Sequence, residues 1–300
     1  VQNLICISSY SFGQLLGPIR ITRRGEDGKK TLFTWGQGEP SMSLLELPAQ
    51  VKAKLGLSAL EICQFHVPEN TDGYIGELKD ALDAAGVSLV NMPIDVGNIA
   101  DPNDAYREED LAEIESWIVA AGKLGSQLVR VNAGSPLGGH DVPVDITVAS
   151  LRRLATFAAD RGIGLLIENH GGRSSEPEFL IQLLETVGPP LRALLDVGNF
   201  EPQMSIGRAR WQGQEPPTNL DYTPQYAAIE RVTPYAGLVH AKTHEFDAAG
   251  RPTELDVARA LRIVHDQGYT GPISIEYEGR NGDCWVNSQR TLDLVHEAFG

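Results

Sequence analysis

Leu165-Leu166-Ile167-Glu168, Ala193-Leu194-Leu195-Asp196, Gly237-Leu238-Val239-His240 and Ile273-Ser274-Ile275-Glu276 share one pattern: a short apolar run that ends on a side chain able to bind a metal. Each run has the length and content of a buried strand. A carboxylate or imidazole at the end of such a run is costly unless something compensates it. Four in succession point to one shared partner, a divalent cation.

The same unit repeats toward the N-terminus. Apolar runs at 4–8, 57–65, 87–92 and 127–132 predict four strands, and those at 163–168, 191–196, 236–241 and 273–277 predict four more. Helical periodicity at 44–55, 71–85, 104–124, 145–161, 177–187, 223–232, 255–267 and 289–298 falls between them, with Gly86 and Gly162 as C-terminal stops. Eight near-continuous apolar strands alternating with helices, without a break in composition, predict an α/β fold: a (β/α)8 TIM barrel over 1–300 as a single domain. An open doubly wound sheet is the competitor, and the chain has neither G-x-G-x-x-G nor a phosphate loop to favour it. Two segments without helical period, at about 13–42 and 198–217, are expected as long loop insertions, which more often serve function or assembly than mere connection.

At 300 residues and 42% hydrophobic content the chain can bury a large core. A formal charge of −15, from 40 acidic against 25 basic residues, repels phosphate backbones and anionic lipid, so neither a nucleic acid nor a membrane is an expected partner. Cys6, Cys63 and Cys284 lie far apart with no Cys-x-x-Cys pair. That spacing indicates neither a disulfide framework nor a zinc ribbon, and a cytoplasmic location is the default expectation.

In such a barrel the loops after the strands form the site. Glu168, Asp196, His240 and Glu276 end the fifth to eighth strands and are therefore neighbours along one arc of the rim. Any one of them alone reads equally well as a helix N-cap or a surface ion pair. Together, three carboxylates and one imidazole suit one divalent ion, Mn²⁺ first, with Mg²⁺, Co²⁺ or Zn²⁺ as alternatives.

The motifs Ile167-Glu168-Asn169-His170-Gly171-Gly172, Leu195-Asp196-Val197-Gly198-Asn199-Phe200, Val239-His240-Ala241-Lys242 and Ser274-Ile275-Glu276-Tyr277 are carriers of a resemblance. In their order and strand-end placement the chain resembles the xylose isomerase-like barrel superfamily, in its sugar phosphate isomerase/epimerase branch with the ketose 3-epimerases. The resemblance implies that Glu168, Asp196, His240 and Glu276 hold one divalent metal. It also implies that Glu168 and Glu276 move the proton on opposite faces of a ketose-like sugar or sugar phosphate through a cis-enediolate. Epimerisation or aldose–ketose isomerisation follows from where the proton returns. Alternatives are a keto-inositol dehydratase of the same superfamily, an endonuclease IV-type nuclease using several metals, and a non-catalytic sugar-binding relative. The partner is then a small carbohydrate, with a homo-oligomer possible.

Further substrate-binding candidates surround these four. His170 and Lys242 each follow a proposed ligand by two residues and so share its side of an extended strand. Arg173 is a candidate for a substrate oxygen or phosphate. Glu61 and His66 sit near the end of the second strand, on the opposite rim, and Arg130 and Asn132 end the fourth, where an ion pair inside the barrel accounts for Arg130. Trp35 and Trp211 lie in the two long loops, available for stacking on a sugar or for a subunit interface. Asn199 departs from the ketose epimerases, where a His usually stands three residues after the metal-binding Asp. Asn still hydrogen-bonds a hydroxyl but cannot carry a proton.

Overall fold

A computed structural model describes residues 3–25, 27–36, 38–135 and 142–300, the side chain of residue 211 excepted. The strands are β1 (Ile5–Ser8), β2 (Ile19–Arg24), β3 (Lys30–Trp35), β4 (Ala59–Glu61), β5 (Ser88–Ile94), β6 (Leu128–Val131), β7 (Gly164–Glu168), β8 (Arg192–Asp196), β9 (Ala236–Thr243) and β10 (Ile273–Tyr277). Strands β1 and β4 to β10 close into a parallel barrel in the order β1-β10-β9-β8-β7-β6-β5-β4. Helices Leu47–Leu55, Asp72–Ala85, Asp104–Lys123, Val144–Ala159, Pro177–Val187, Thr223–Val232, Val257–Asp266 and Cys284–Phe299 follow the barrel strands in turn. The expected (β/α)8 barrel is the fold.

Strand alternation places the site. Cys6, Ala59, Val90, Leu166, Leu194 and Leu238 form a small apolar cluster separate from the large one shared by strands and helices. Side chains repeat direction every two residues. Two residues beyond Ala59, Leu166, Leu194 and Leu238 come Glu61, Glu168, Asp196 and His240, so the polar residues stand one layer above an apolar plug. Each fully buried Leu or Ile of these clusters contributes about 1.5–3 kcal/mol, which is what fixes the strands that carry the charges.

Several boundaries differ from the sequence expectation for physical reasons. The second barrel strand ends at Glu61, not 65, because the Ser9 hydroxyl takes the Cys63 backbone N–H (2.9 Å) and the chain turns through a 3-10 segment at Gln64–His66. β5 runs on to Ile94 and β9 to Thr243. The last helix starts at Cys284, not 289, because Asp283 caps it, accepting from the amides of Trp285 and Val286. The sequence also places a Gly-rich loop at 134–139, after the run at 127–132, and that segment lies largely outside the described residues.

Neither insertion is irregular throughout. Segment 198–217 holds a helix at Gln203–Trp211, masked in the sequence by polar residues on every side. Segment 13–42 holds an antiparallel hairpin in which β2 pairs with β3, Ile19 opposite Trp35 and Ile21 opposite Phe33. These four share the face turned toward the barrel, whereas Arg20, Leu32 and Thr34 are exposed. β2 packs on the Gln64–His66 turn. The hairpin's far end is pinned to the helix at Asp104–Lys123: Arg24 and Lys30 reach the buried Asp110 at 2.8 and 2.9 Å, and Arg24 lies over the Tyr106 ring at 4.4 Å. Gly28, with φ +77°, is required there, since a Cβ would stand 2.1 Å from the Tyr106 hydroxyl. The hairpin is thus a strap across the barrel mouth. Among the described residues no helix is long and apolar enough to cross a membrane.

Candidate active site

The C-terminal ends of the barrel strands surround a cavity that opens to solvent. Its floor is polar, with Asp95, Arg130, Glu168, His170, His240, Lys242, Glu276 and Glu278, and its other walls are Tyr10, Ile19, Ile21, Trp35, Cys63, Phe65 and Pro93. Glu168, His240 and Glu276, from three different strands, therefore meet in one cavity.

Asp196 joins them from below, fully buried. Asn169 fixes its backbone, donating to the Asp196 carbonyl (2.8 Å) and accepting from its amide (2.9 Å). Asp196 Oδ1 accepts the Gly198 amide at 2.7 Å, which leaves Oδ2 facing the other side chains. His240 Nδ1 lies 3.7 Å from that oxygen and 3.4 Å from Glu276 Oε2. Donor atoms of Glu168, Asp196 and His240 lie within 4.8 Å of one another, as do those of Glu61, His240 and Glu276. His240 is common to both triads, so they describe one centre.

The chemistry of these donors fits a divalent cation. His240 Nδ1 is buried without a hydrogen-bond partner, and Glu168 Oε2 has only the Arg130 guanidinium beside it. Such an orphaned acceptor is expected where an ion completes the set, and carboxylate oxygens with one imidazole suit Mn²⁺, Mg²⁺ or Co²⁺.

Glu61 plays a different part from the substrate contact expected of it. It is fully buried and not among the residues lining the cavity. Its Oε2 lies 3.0 Å from His240 Nε2 and accepts from Asn91 at 2.8 Å. That holds the ring with Nδ1 turned toward Asp196 and Glu276, the orientation in which a carboxylate supports a metal-binding histidine.

Lys242 is buried among acids. Its ammonium lies 2.8 Å from Asp196 Oδ2, 3.3 Å from Glu276 Oε2, 3.0 Å from Glu278 Oε1 and 3.1 Å from Asn199 Oδ1. Glu276 and Lys242 are direct cross-strand partners. Gly198 makes room for the Lys242 stem, since a Cβ there would meet its methylenes at 2.8 Å. Asn199 braces the cluster, donating to Asp196 Oδ2 (3.0 Å) and Glu168 Oε1 (3.3 Å) while accepting from Lys242. It lies beside the carboxylates but does not line the cavity.

Arg130 forms the ion pair expected inside the barrel, to Asp95 (2.6 Å) and to Glu168 Oε2 (2.8 Å), and Asn132 donates to the same Asp95 (2.8 Å). Asp95 and Glu278 escaped sequence reasoning, although each carries a signal: Asp95 directly follows the apolar run Met92-Pro93-Ile94, and Glu278 repeats Glu276 at a spacing of two.

Burial pushes the Glu168 carboxyl above the usual carboxylate range despite Arg130 beside it. Burial acts on Glu276 the same way, but His240 and Lys242 outweigh it and hold that carboxyl well below the range. Burial opposes charge on Lys242, and Asp196, Glu278 and Glu276 together raise it far above an ordinary lysine.

The remaining candidates divide. His170 and Trp35 line the cavity. His66 does not, its Nδ1 instead lying 2.8 Å from the Ser9 hydroxyl. Arg173 does not line it either, its guanidinium lying 4.0 Å over the Phe179 ring. The Trp211 side chain lies outside the described residues.

Comparison with known proteins agrees with this fold. The chain is 22% identical over 302 residues to the C-glycoside deglycosidase alpha subunit of Microbacterium trichothecenolyticum, covering 81% of this chain and 78% of that one. A xylose isomerase-like TIM barrel protein from Mycobacterium smegmatis in complex with magnesium superposes with a TM-score of 0.64 at 19% identity, covering 99% of this chain and 97% of the other. An L-ribulose 3-epimerase superposes with a TM-score of 0.67 at 14% identity, covering 99% and 94%. The profile of the xylose isomerase-like TIM barrel family matches residues 49–296. The chain belongs to that family.

Proposed function

We propose that this protein is a divalent-metal-dependent sugar epimerase or isomerase that exchanges a proton on the carbon next to a carbonyl of a ketose-like substrate. The observation that carries this is the meeting of Glu168 and Glu276 in one cavity, with His240 between their strands and an orphaned Nδ1 among them. The fold shared with an L-ribulose 3-epimerase supports the reaction class.

A divalent cation held by Glu168, Asp196, His240 and Glu276 supplies Lewis-acid polarisation of the substrate carbonyl. Glu276, kept ionised by His240 and Lys242, accepts the proton from the neighbouring carbon. Glu168, whose carboxyl burial shifts toward the protonated form, returns a proton to the resulting cis-enediolate. When the reaction runs backwards the two carboxyls exchange roles, as microscopic reversibility requires. Return to the same carbon from the other face gives an epimer, and return to the adjacent carbon gives the aldose or ketose isomer. Glu61 and Asn199 position the site without touching the reacting carbon. The multi-metal nuclease alternative draws no support, because the two metal-capable triads among the described residues share His240.

Incubation of the Mn²⁺-loaded protein with a panel of ketoses in D₂O, read by NMR, tests this. Deuterium should appear at one carbon beside the carbonyl, and Glu276→Gln and Glu168→Gln should each remove it. Exchange that persists in Glu276→Gln would sink the mechanism.

A further inference from the structure

The cavity has two chemically different halves, and proton transfer uses only one. The other half is formed by Ile19, Ile21 and Trp35 of the hairpin, with Tyr10 and Phe65 beside them. None of these side chains can supply a carboxylate, and the only polar atoms among them are the Tyr10 hydroxyl and the Trp35 indole N–H. The hairpin that brings three of them is an addition to the barrel, and it is held down firmly: Arg24 and Lys30 are tied to the buried Asp110. Ile21 is 7% exposed, so this face is packed against the barrel mouth.

The polar half argues against a phosphate. Asp95, Glu168, Glu276 and Glu278 line it against two fixed cations, and both are committed. Arg130 is paired with Asp95 and Glu168, and Lys242 with Asp196, Glu276 and Glu278. Even with one divalent cation bound, the carboxylates of Glu61, Asp95, Glu168, Asp196, Glu276 and Glu278 outweigh the charges of that ion, Arg130 and Lys242 together, and a phosphate entering here would find no uncommitted Lys or Arg among the described lining residues. The apolar half argues against a bare sugar. A sugar ring can stack on one aromatic face, but its hydroxyls would be left unpaired against two isoleucines, which offer neither donor nor acceptor.

We propose that the substrate is an unphosphorylated keto-sugar carrying a flat apolar substituent, such as an aromatic aglycone, and that Ile19, Ile21 and Trp35 form the subsite for that substituent. This rests on the proposed function for what happens at the sugar end. The hairpin selects the substrate by what is attached to the sugar, while the barrel rim acts on the sugar itself.

Titration calorimetry on the whole metal-loaded protein tests it with a phenyl keto-glucoside, the methyl keto-glucoside and the keto-glucose 6-phosphate. The phenyl compound should bind about 100-fold more tightly than the methyl one, the order expected from burying one aromatic ring, and the phosphate no more tightly than the methyl. Ile21→Ser and Trp35→Ser should each cut the phenyl-to-methyl ratio about ten-fold. Leu32→Ser, on the hairpin's outer face and 64% exposed, should leave that ratio unchanged. Equal binding of the phenyl and methyl compounds, a ratio untouched by both pocket variants, or preferential binding of the phosphate would overturn the proposal. Deuterium exchange scored on the same sugars separates the two readings. Exchange without phenyl preference removes the subsite and leaves the reaction standing, and phenyl preference without exchange does the reverse.

Discussion

Glu61 and His240, 179 residues apart, meet at 3.0 Å between Oε2 and Nε2 with both side chains out of solvent. The pair decides which nitrogen of His240 faces the ligand carboxylates. Glu61→Gln keeps the shape and removes the charge that favours the Nε2–H tautomer. Partners of this kind typically affect metal affinity 10–100-fold. Mn²⁺ affinity measured by calorimetry should therefore fall by about that factor in Glu61→Gln, with the secondary structure intact by circular dichroism. Unchanged affinity would mean that His240 does not bind the ion through Nδ1.

Lys242 makes a contrary prediction. Its ammonium lies within 2.8 Å of Asp196 Oδ2 and 3.3 Å of Glu276 Oε2, two oxygens that a cation would use. A tethered positive charge there competes with a free one. Lys242→Met should raise Mn²⁺ affinity about ten-fold or more. It should also destabilise the chelator-treated protein by about 3–5 kcal/mol, because Asp196 and Glu276 lose their buried partner. Added Mn²⁺ should restore much of the lost melting temperature in the variant. A variant with unchanged affinity and unchanged Tm would show that the ammonium does not contest the site.

The barrel and the metal arc were legible because both follow from strand periodicity. An apolar run announces a buried strand, and the polar residue ending it announces a cost that needs a partner, so Glu168, Asp196, His240 and Glu276 stand out without knowledge of their neighbours. Glu61 was visible as a candidate but not in its role, since its contact with His240 depends on the register around a closed barrel rather than on local spacing. Asp95 was hidden by a boundary. Ending the third strand at 92 left the run Met92-Pro93-Ile94 unnoticed, and Pro93 invites that cut because it lacks an amide donor. The hairpin was hidden by length. Ile19 and Ile21 alternate with polar residues and Asp27-Gly28 marks a turn, yet the strands are short and rich in arginine, and their apolar face exists only because the barrel mouth lies beneath it.

Asp110 holds that hairpin. It is 3% exposed and accepts from Arg24 (2.8 Å) and the Asn98 amide (2.9 Å), with the Lys30 ammonium at 2.9 Å. Asp110→Asn leaves two cations facing a neutral amide, and the hairpin tip should loosen by about 1–3 kcal/mol. Trypsin, which cleaves after Arg23, Arg24, Lys29 and Lys30, should then cut there about ten-fold faster than in the parent protein. The barrel should resist in both. Equal cleavage rates would show that the tip is held by other contacts, such as Arg24 over Tyr106.

His66 sets an acid limit. Burial pushes its imidazolium form down to about 3 from the usual 6.5, and its Nδ1 is engaged with Ser9. Between those two values the unfolded chain binds a proton that the folded one refuses, so ν_U exceeds ν_N and stability rises with pH. The contribution is complete above about pH 6.5 and is lost as the pH falls toward 3, with a slope of at most about 1.4 kcal/mol per pH unit. His66→Gln retains a polar side chain near Ser9 and removes the titration. Urea midpoints taken at intervals from pH 7 to pH 4 should fall less steeply in His66→Gln than in the parent protein, and the two curves should run parallel above pH 7. Curves parallel over the whole range would mean that the His66 ring is protonated in the folded state as readily as in the unfolded one.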